Sequence, residues 1–443
     1  MILNRNAVMK FVIRSMATLL LLCSWQAQAR LVIEITQGTE GALPIAVVPF
    51  GWLGGADSRT DVADIVAADL ARSGRFAPLD KGQMPQQPHS GKEINFAAWR
   101  AAGVEHIVVG RVQSRQGDER MVEFQLFDVV RGVQMTGYSI PASSPRMRRV
   151  AHQISDIVYK KLTGQRGAFN THVAYVTVER SGKESLYRLS IADADGHDEQ
   201  VILTSKQSLM SPTWSPDGER LAYVSFEKGR SLIYMQEIDS GKRELLAEFK
   251  GLNSAPSFSP DGRRLALTLS RDGNPEIYLL DLRSRALTRL THSRGIDTEA
   301  SFAPDGKAVL FTSDRGGKPQ IYRLKLENGR PVGRPQRITY EGVYNARAAF
   351  SPDGKRLVFV HGDGKRFRIA VQDLESGTLR VLSDTRFDES PSFAPNGSMI
   401  IYATERNRRG VLEAVSVDGN AHQRLGLSRG DVREPAWSPY ILK

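Results

Sequence analysis

Cysteine is almost missing from this chain: the 443 residues contain one, Cys23. It lies inside the first 29 residues, so the rest can form no disulfide and run no thiol chemistry. Catalytic signatures are missing too. There is no Gly-x-Ser-x-Gly elbow, no His-Glu-x-x-His, no Gly-x-Gly-x-x-Gly and no Walker loop. The eight histidines, at 89, 106, 152, 172, 197, 292, 361 and 422, have no ligand spacing. Asp193-Ala-Asp-Gly196 has the start of a calcium loop without its remaining ligands, and reads as a hairpin turn. No cofactor, metal or catalytic residue is expected.

Long apolar runs are also missing. Arg5, Lys10 and Arg14 precede a short run through Leu19–Leu22, and Ala27-Gln-Ala29 is a small-residue cleavage site. This is a secretory leader, residues 1–29, cut between Ala29 and Arg30. The run is too short to span a membrane comfortably, so no stable insertion is expected. Formal charge is +11; the leader holds three cations and no acid, leaving +8. The excess cations are spread through turns, as in Gly262-Arg-Arg264 and Asn407-Arg-Arg409, without interleaved aromatics. A nucleic-acid partner is therefore not expected.

What is present is a repeat. Pro212-Thr-Trp-Ser-Pro-Asp-Gly218 recurs as Pro256–Gly262, Ala300–Gly306, Ala348–Gly354 and Pro391–Gly397, and in part as Pro435-Ala-Trp-Ser-Pro439. The prolines at 216, 260, 304, 352, 395 and 439 are spaced by 44, 44, 48, 43 and 44 residues. Pro presets the turn, Asp bonds its own backbone and Gly takes the left-handed position. Apolar runs such as Leu221-Ala-Tyr-Val-Ser follow, then third and fourth strands such as Ile277-Tyr-Leu-Leu-Asp and Leu287-Thr-Arg-Leu-Thr. Four antiparallel strands per repeat make a propeller blade. The last motif has only its first strand. The missing three stand at Val173-Ala-Tyr-Val-Thr, Leu186-Tyr-Arg-Leu and Val201-Ile-Leu-Thr, so six blades close by joining both ends of residues 168–443. The repeated turn Asp could ring a cation, but Asn396 and Tyr440 break the ring.

Residues 30–167 read as a separate α/β domain. A strand at Leu43–Val48 precedes a helix from Asp61 to about Ser73, capped by Thr60. A second helix fits Asn95–Ala102, strands fit about 107–112, 121–128 and 133–140, and a third helix runs from Ser144 to Gly164. The segment Arg30, Leu31, Val32, Ile33, Glu34, Ile35, Thr36 and Gln37 resembles a strand without a hairpin partner. It either pairs at the edge of its own domain or stays free to join a partner's sheet.

Aligning the repeats on Trp214 and Phe258 places Ser208, Leu252, Ile296, Tyr344, Phe387 and Asp431 in one column at the channel mouth. The next column is Leu209, Asn253, Asp297, Asn345, Asp388 and Val432. These residues either pack beneath the loops or form a docking face of apolar anchors rimmed by charge. Arg408 is placed away from this mouth.

The repeat Ser-Pro-Asp-Gly-x-x-Leu-Ala-Tyr resembles the WD40-like propeller repeat of binding proteins and of serine-peptidase propellers. An accessory or degenerate peptidase propeller is accordingly the alternative reading. The leader, Pro44-Ile-Ala-Val-Val-Pro-Phe50, Ile65-Val-Ala-Ala-Asp-Leu70, Pro85-Gln-Gln-Pro88, Lys161-Leu-Thr-Gly164 and Pro435-Ala-Trp-Ser-Pro-Tyr440 together resemble the TolB family, periplasmic components of the Tol–Pal cell-envelope system. That resemblance implies a non-catalytic, monomeric scaffold acting in outer-membrane constriction at division and in envelope integrity. It implies that the lipoprotein Pal binds the propeller face and the transducer TolA binds Arg30–Gln37, with other envelope proteins as further partners. Carried over by position, Leu252, Ala255 and Thr298 face Pal. With the aligned columns, the expected face is Leu252, Asn253, Ala255, Ile296, Asp297, Thr298, Glu299, Tyr344 and Arg347.

Overall fold

The computed structural model describes residues 31–37, 41–54, 61–427 and 430–441. Ala29, Arg30 and Thr60 lie outside them. The first helix, α1 (Val62–Arg72), is capped by Asp61, whose carboxylate accepts from Ala63 N at 3.0 Å and Asp64 N at 3.2 Å. Its two companions are α2 (Phe96–Ala101), capped by Asn95, and α3 (Met147–Thr163), which ends on left-handed Gly164. A six-stranded sheet carries them. Its order is Phe76–Pro78, Leu43–Val47, His106–Ser114, Glu119–Asp128 and Val133–Ser143, with Gly51–Leu53 paired beside His106–Ser114. The helices α1 and α3 bury Val66, Leu70, Ile154 and Val158 against Ile45, Val108 and Phe124 on one face. On the opposite face, Trp99 of α2 packs with Ile107, Val109 and Phe127.

Six blade sheets follow, five of four strands and one of five among the described residues, and their first strands line the channel. Blades one to five begin at Leu209–Trp214, Asn253–Phe258, Asp297–Phe302, Tyr344–Phe350 and Glu389–Phe393. Blade six takes its first strand, Asp431–Trp437, from the far end of the repeats and pairs it with His172–Ser181. Ring closure is thus made by a strand 250 residues away in sequence from its neighbour, as the truncated last repeat implies. Trp214 of blade one fastens it, with Nε1 donating to Ala436 O at 3.0 Å.

The repeated turn does more than reverse the chain. Asp217 Oδ1 accepts from Glu219 N at 2.9 Å, and Gly218, Gly262, Gly306, Gly354 and Gly397 take φ of 67–73°. A β-carbon on any of these glycines would also press toward the turn proline of the preceding blade: Gly397 toward Pro352 at 3.3 Å, Gly218 toward Pro439 at 3.5 Å, Gly262 toward Pro216 at 3.6 Å. The motif therefore stacks blade on blade as well as turning strand on strand, which explains why it recurs as a unit.

The strand-like segment is neither at its own domain's edge nor free. Leu31–Gln37 lies antiparallel to His422–Leu427, with Ile33 opposite Leu425 and Ile35 opposite Gln423. It becomes the outermost strand of blade five, which alone among the six sheets of the ring has five strands. A strand lacking a hairpin partner met the open edge of a blade, where unpaired backbone groups accept a fifth strand.

Candidate docking face at the channel mouth

Each first strand carries a register shift, and at it stands a residue with left-handed backbone: Ser211, Ala255, Glu299, Arg347, Ser390 and Glu434, with φ of 47–57°. None is glycine, so each costs on the order of 1 kcal/mol or more. The shift turns these six side chains toward one another in the neck. Arg347 of blade four spans it. Its Nε lies 3.3 Å from Glu299 of blade three, and Nη2 lies 2.8 Å from Glu434 of blade six. Nη2 also reaches Ser211 of blade one at 3.3 Å, and Nη1 bonds Ser390 of blade five. Burial disfavours this guanidinium's charge, but Glu434 and Glu299 outweigh burial and raise its pKa above the ordinary arginine value. Five blades are cross-tied through one side chain.

Above this floor opens a depression of about 630 Å³. Among its walls are Met210, Phe226, Leu252, Tyr344, Phe367 and Phe387, with Thr298 and Ala255 lower down. Phe387 is 50% exposed, and Tyr344 packs edge-on to Phe367 with ring centroids 5.0 Å apart. Apolar anchors around a polar floor, where Arg347 faces Glu299, Glu434 and Glu389, suit the insertion of a partner's side chains.

The expected face divides in two. Leu252, Ala255, Thr298, Glu299, Tyr344 and Arg347 line the depression. Ile296 is 48% exposed but stands outside its lining. Asn253 and Asp297, expected at the surface, are fully buried. Asn253 donates to Phe249 O at 2.8 Å and Gly251 O at 3.2 Å and accepts from Phe249 N at 2.9 Å, closing its own loop. Asp297 pairs with Arg315 and accepts from Ser313 Oγ at 2.6 Å. The reason is the alternation of strands: one column faces the mouth and the next turns into the blade. Arg347 also differs from expectation, since its charge is already spent across the neck.

Four of the named wall residues, Met210, Phe226, Phe367 and Phe387, were not among the expected ones. Phe387 stands in the same aligned column as Leu252 and Tyr344, so that signal was available. Phe226 comes from a connection between second and third strands and Phe367 opens the third strand Phe367–Asp373; those connections vary in length, and the alignment did not reach them. Those connections share the mouth face because antiparallel strands bring the end of the second beside the start of the first. Arg408, in the hairpin between Met399–Arg406 and Arg409–Ser416, is one of them. It lies on the mouth face, not away from it.

The opposite face is covered beneath blades five and six. Turns that close first to second and third to fourth strands meet the amino-terminal domain there. Asn396 donates to Arg166 O at 3.0 Å, Gln423 bonds Arg72 O, and Arg166 lies over the Tyr440 ring at 3.7 Å. Among the described residues no helix is long and apolar enough to cross a membrane.

Fold and face together define a six-bladed β-propeller joined to a small α/β domain, a binding protein in build. Residues 159–441 match the TolB beta propeller domain and residues 31–135 the TolB amino-terminal domain. A Tol-Pal system protein TolB of Thioalkalivibrio sulfidiphilus is 60% identical over 431 residues, covering 97% of this chain and 98% of that protein. One from Xanthomonas campestris pv. campestris is 53% identical over 427 residues, 96% of each. The crystal structure of TolB from Acinetobacter baumannii superposes with a TM-score of 0.86 at 42% identity, covering 93% of this chain and all of that one. The chain belongs to the TolB family of Tol-Pal system proteins.

Proposed function

We propose that this protein is a periplasmic, non-catalytic scaffold that links the lipoprotein Pal to the transducer TolA during outer-membrane constriction. The observation that carries the Pal half is the mouth: exposed Phe387, Leu252 and Met210 stand around a floor in which Arg347 is shared between Glu299 and Glu434. Such a mouth offers a partner apolar area around an acidic floor. Family membership supports the same assignment over nearly the whole chain.

The TolA half rests on Leu31–Gln37 at the outer edge of blade five. Its far side is an open strand edge to which a partner strand can add, and the register shift between Ile35 and Gln37 marks where its pairing loosens. Calorimetric titration separates the halves. Removing residues 30–37 from the mature protein should abolish TolA binding and leave Pal binding intact. Loss of both, or of neither, contradicts the assignment.

A further inference from the structure

A buried histidine joins the two domains at the covered face. His152 of α3 is 2% exposed. Its Nδ1 lies 2.7 Å from Asp69 of α1, within its own domain. Its Nε2 points the other way, at the propeller turn between Glu184–Asp193 and Gln200–Ser205. There it faces Asp195 at 3.5 Å and Asp193 at 4.0 Å and makes no hydrogen bond of its own. A neutral imidazole that donates from Nδ1 to Asp69 would aim a bare lone pair at two carboxylates. A protonated one donates on both sides.

The charge balance agrees. Asp69, Asp193 and Asp195 are answered by Arg72, 2.9 Å from Asp69, and by Arg148, which pairs with Asp195. One positive charge is lacking, and the imidazolium supplies it. A divalent cation among Asp69, His152 and Asp195 would leave the cluster in excess positive charge and would have to displace a guanidinium. Three further groups face the cluster: His172 at 3.4 Å from Asp193, His197 at 3.4 Å from Asp195, and Asp156 of α3.

We infer that His152 is a proton-operated clamp, holding the amino-terminal domain against the propeller when charged and loosening it when neutral. Burial lowers its pKa, but Asp69 and then Asp195 outweigh burial, against opposition from Arg72, and the net direction is upward from 6.5. A group whose folded pKa is raised contributes stability that is complete below its unfolded value and lost as pH climbs through the folded one. The clamp is therefore closed below 6.5 and opens as pH rises through the raised folded value. Asp156, pushed up mainly by burial to about 6, acts in a separate and lower window, between about 4 and 6.

Two measurements on the full mature protein test this. Carbon-labelled histidine NMR should place the His152 titration above 6.5. Hydrogen exchange in the turn 193–197, corrected for its intrinsic base-catalysed rate, should speed up about tenfold once pH passes that titration by one unit. In His152→Gln the corrected exchange should already be fast and flat with pH. A His152 titration below 6.5, or a wild-type turn whose corrected exchange ignores pH, overturns the clamp. So does slowing of that exchange by added zinc alone in wild type but not in His152→Gln, which would make the cluster a metal site.

Discussion

The two faces of the propeller are built from the same repeat and end in opposite conditions. At the mouth, polar groups satisfy one another across the neck, and the apolar side chains Leu252, Ile296 and Phe387 stand exposed. At the base of blades five and six, polar groups such as Asp69, His152 and Gln423 are buried at the seam with the amino-terminal domain. An exposed apolar rim over a polar floor is the kind of surface that marks interaction sites. A buried polar seam is a surface that already has one, and it costs free energy whenever a group in it goes unpaired. One face is open for docking and the other fixes domain position.

The comparison breaks most severely if the ring opens. Deleting residues 434–443 removes most of the strand that closes blade six and exposes the edge of His172–Ser181. Loss of cooperative unfolding, or aggregation, is the expected result by calorimetry and light scattering. A truncated protein that melts as wild type would mean that the ring is not closed by this strand.

Arg347→Ala is the next largest change. It strands Glu299 and Glu434 in the neck without a cation, and should cost about 2 kcal/mol in urea unfolding, toward the low side because the neck is partly open. Arg347→Lys should recover only part, since one ammonium cannot reach four blades at once. A neutral Arg347→Ala would show that the cross-tie contributes nothing.

Removing Leu31–Gln37 should matter least to the fold. A fifth strand at a blade's edge adds backbone bonds but closes no ring, so a fall in midpoint of roughly 2 °C is expected. A much larger fall would make the segment an integral part of blade five.

Most of this architecture could be read from the sequence because the turn motif couples local geometry with blade stacking. Pro and Gly at fixed offsets therefore reported both at once. The expected helices at 61–73, 95–102 and 144–164 appear with shifts of one to three residues and with Asp61 as the cap of the first. The mouth was only half legible. Leu252 and Tyr344 could be placed by column, but a side chain such as Asp297 looks the same in sequence whether it meets solvent or Arg315. The docking of Leu31–Gln37 on His422–Leu427 was not legible at all, since nothing local specifies a partner almost 400 residues away. The interdomain seam escaped for the same reason: Asp69, His152 and Asp195 come from three distant segments.

Hydrogen exchange with and without purified Pal tests the division between the two faces most directly. The account predicts that Pal protects the mouth, at residues 208–211, 252–255, 343–347 and 386–390, and leaves the base turns at 193–197 and 395–398 unprotected. Phe387→Ala should weaken Pal binding by on the order of 2 kcal/mol while leaving unfolding nearly unchanged. Protection centred on the base turns, with the mouth exchanging as in the free protein, would contradict it.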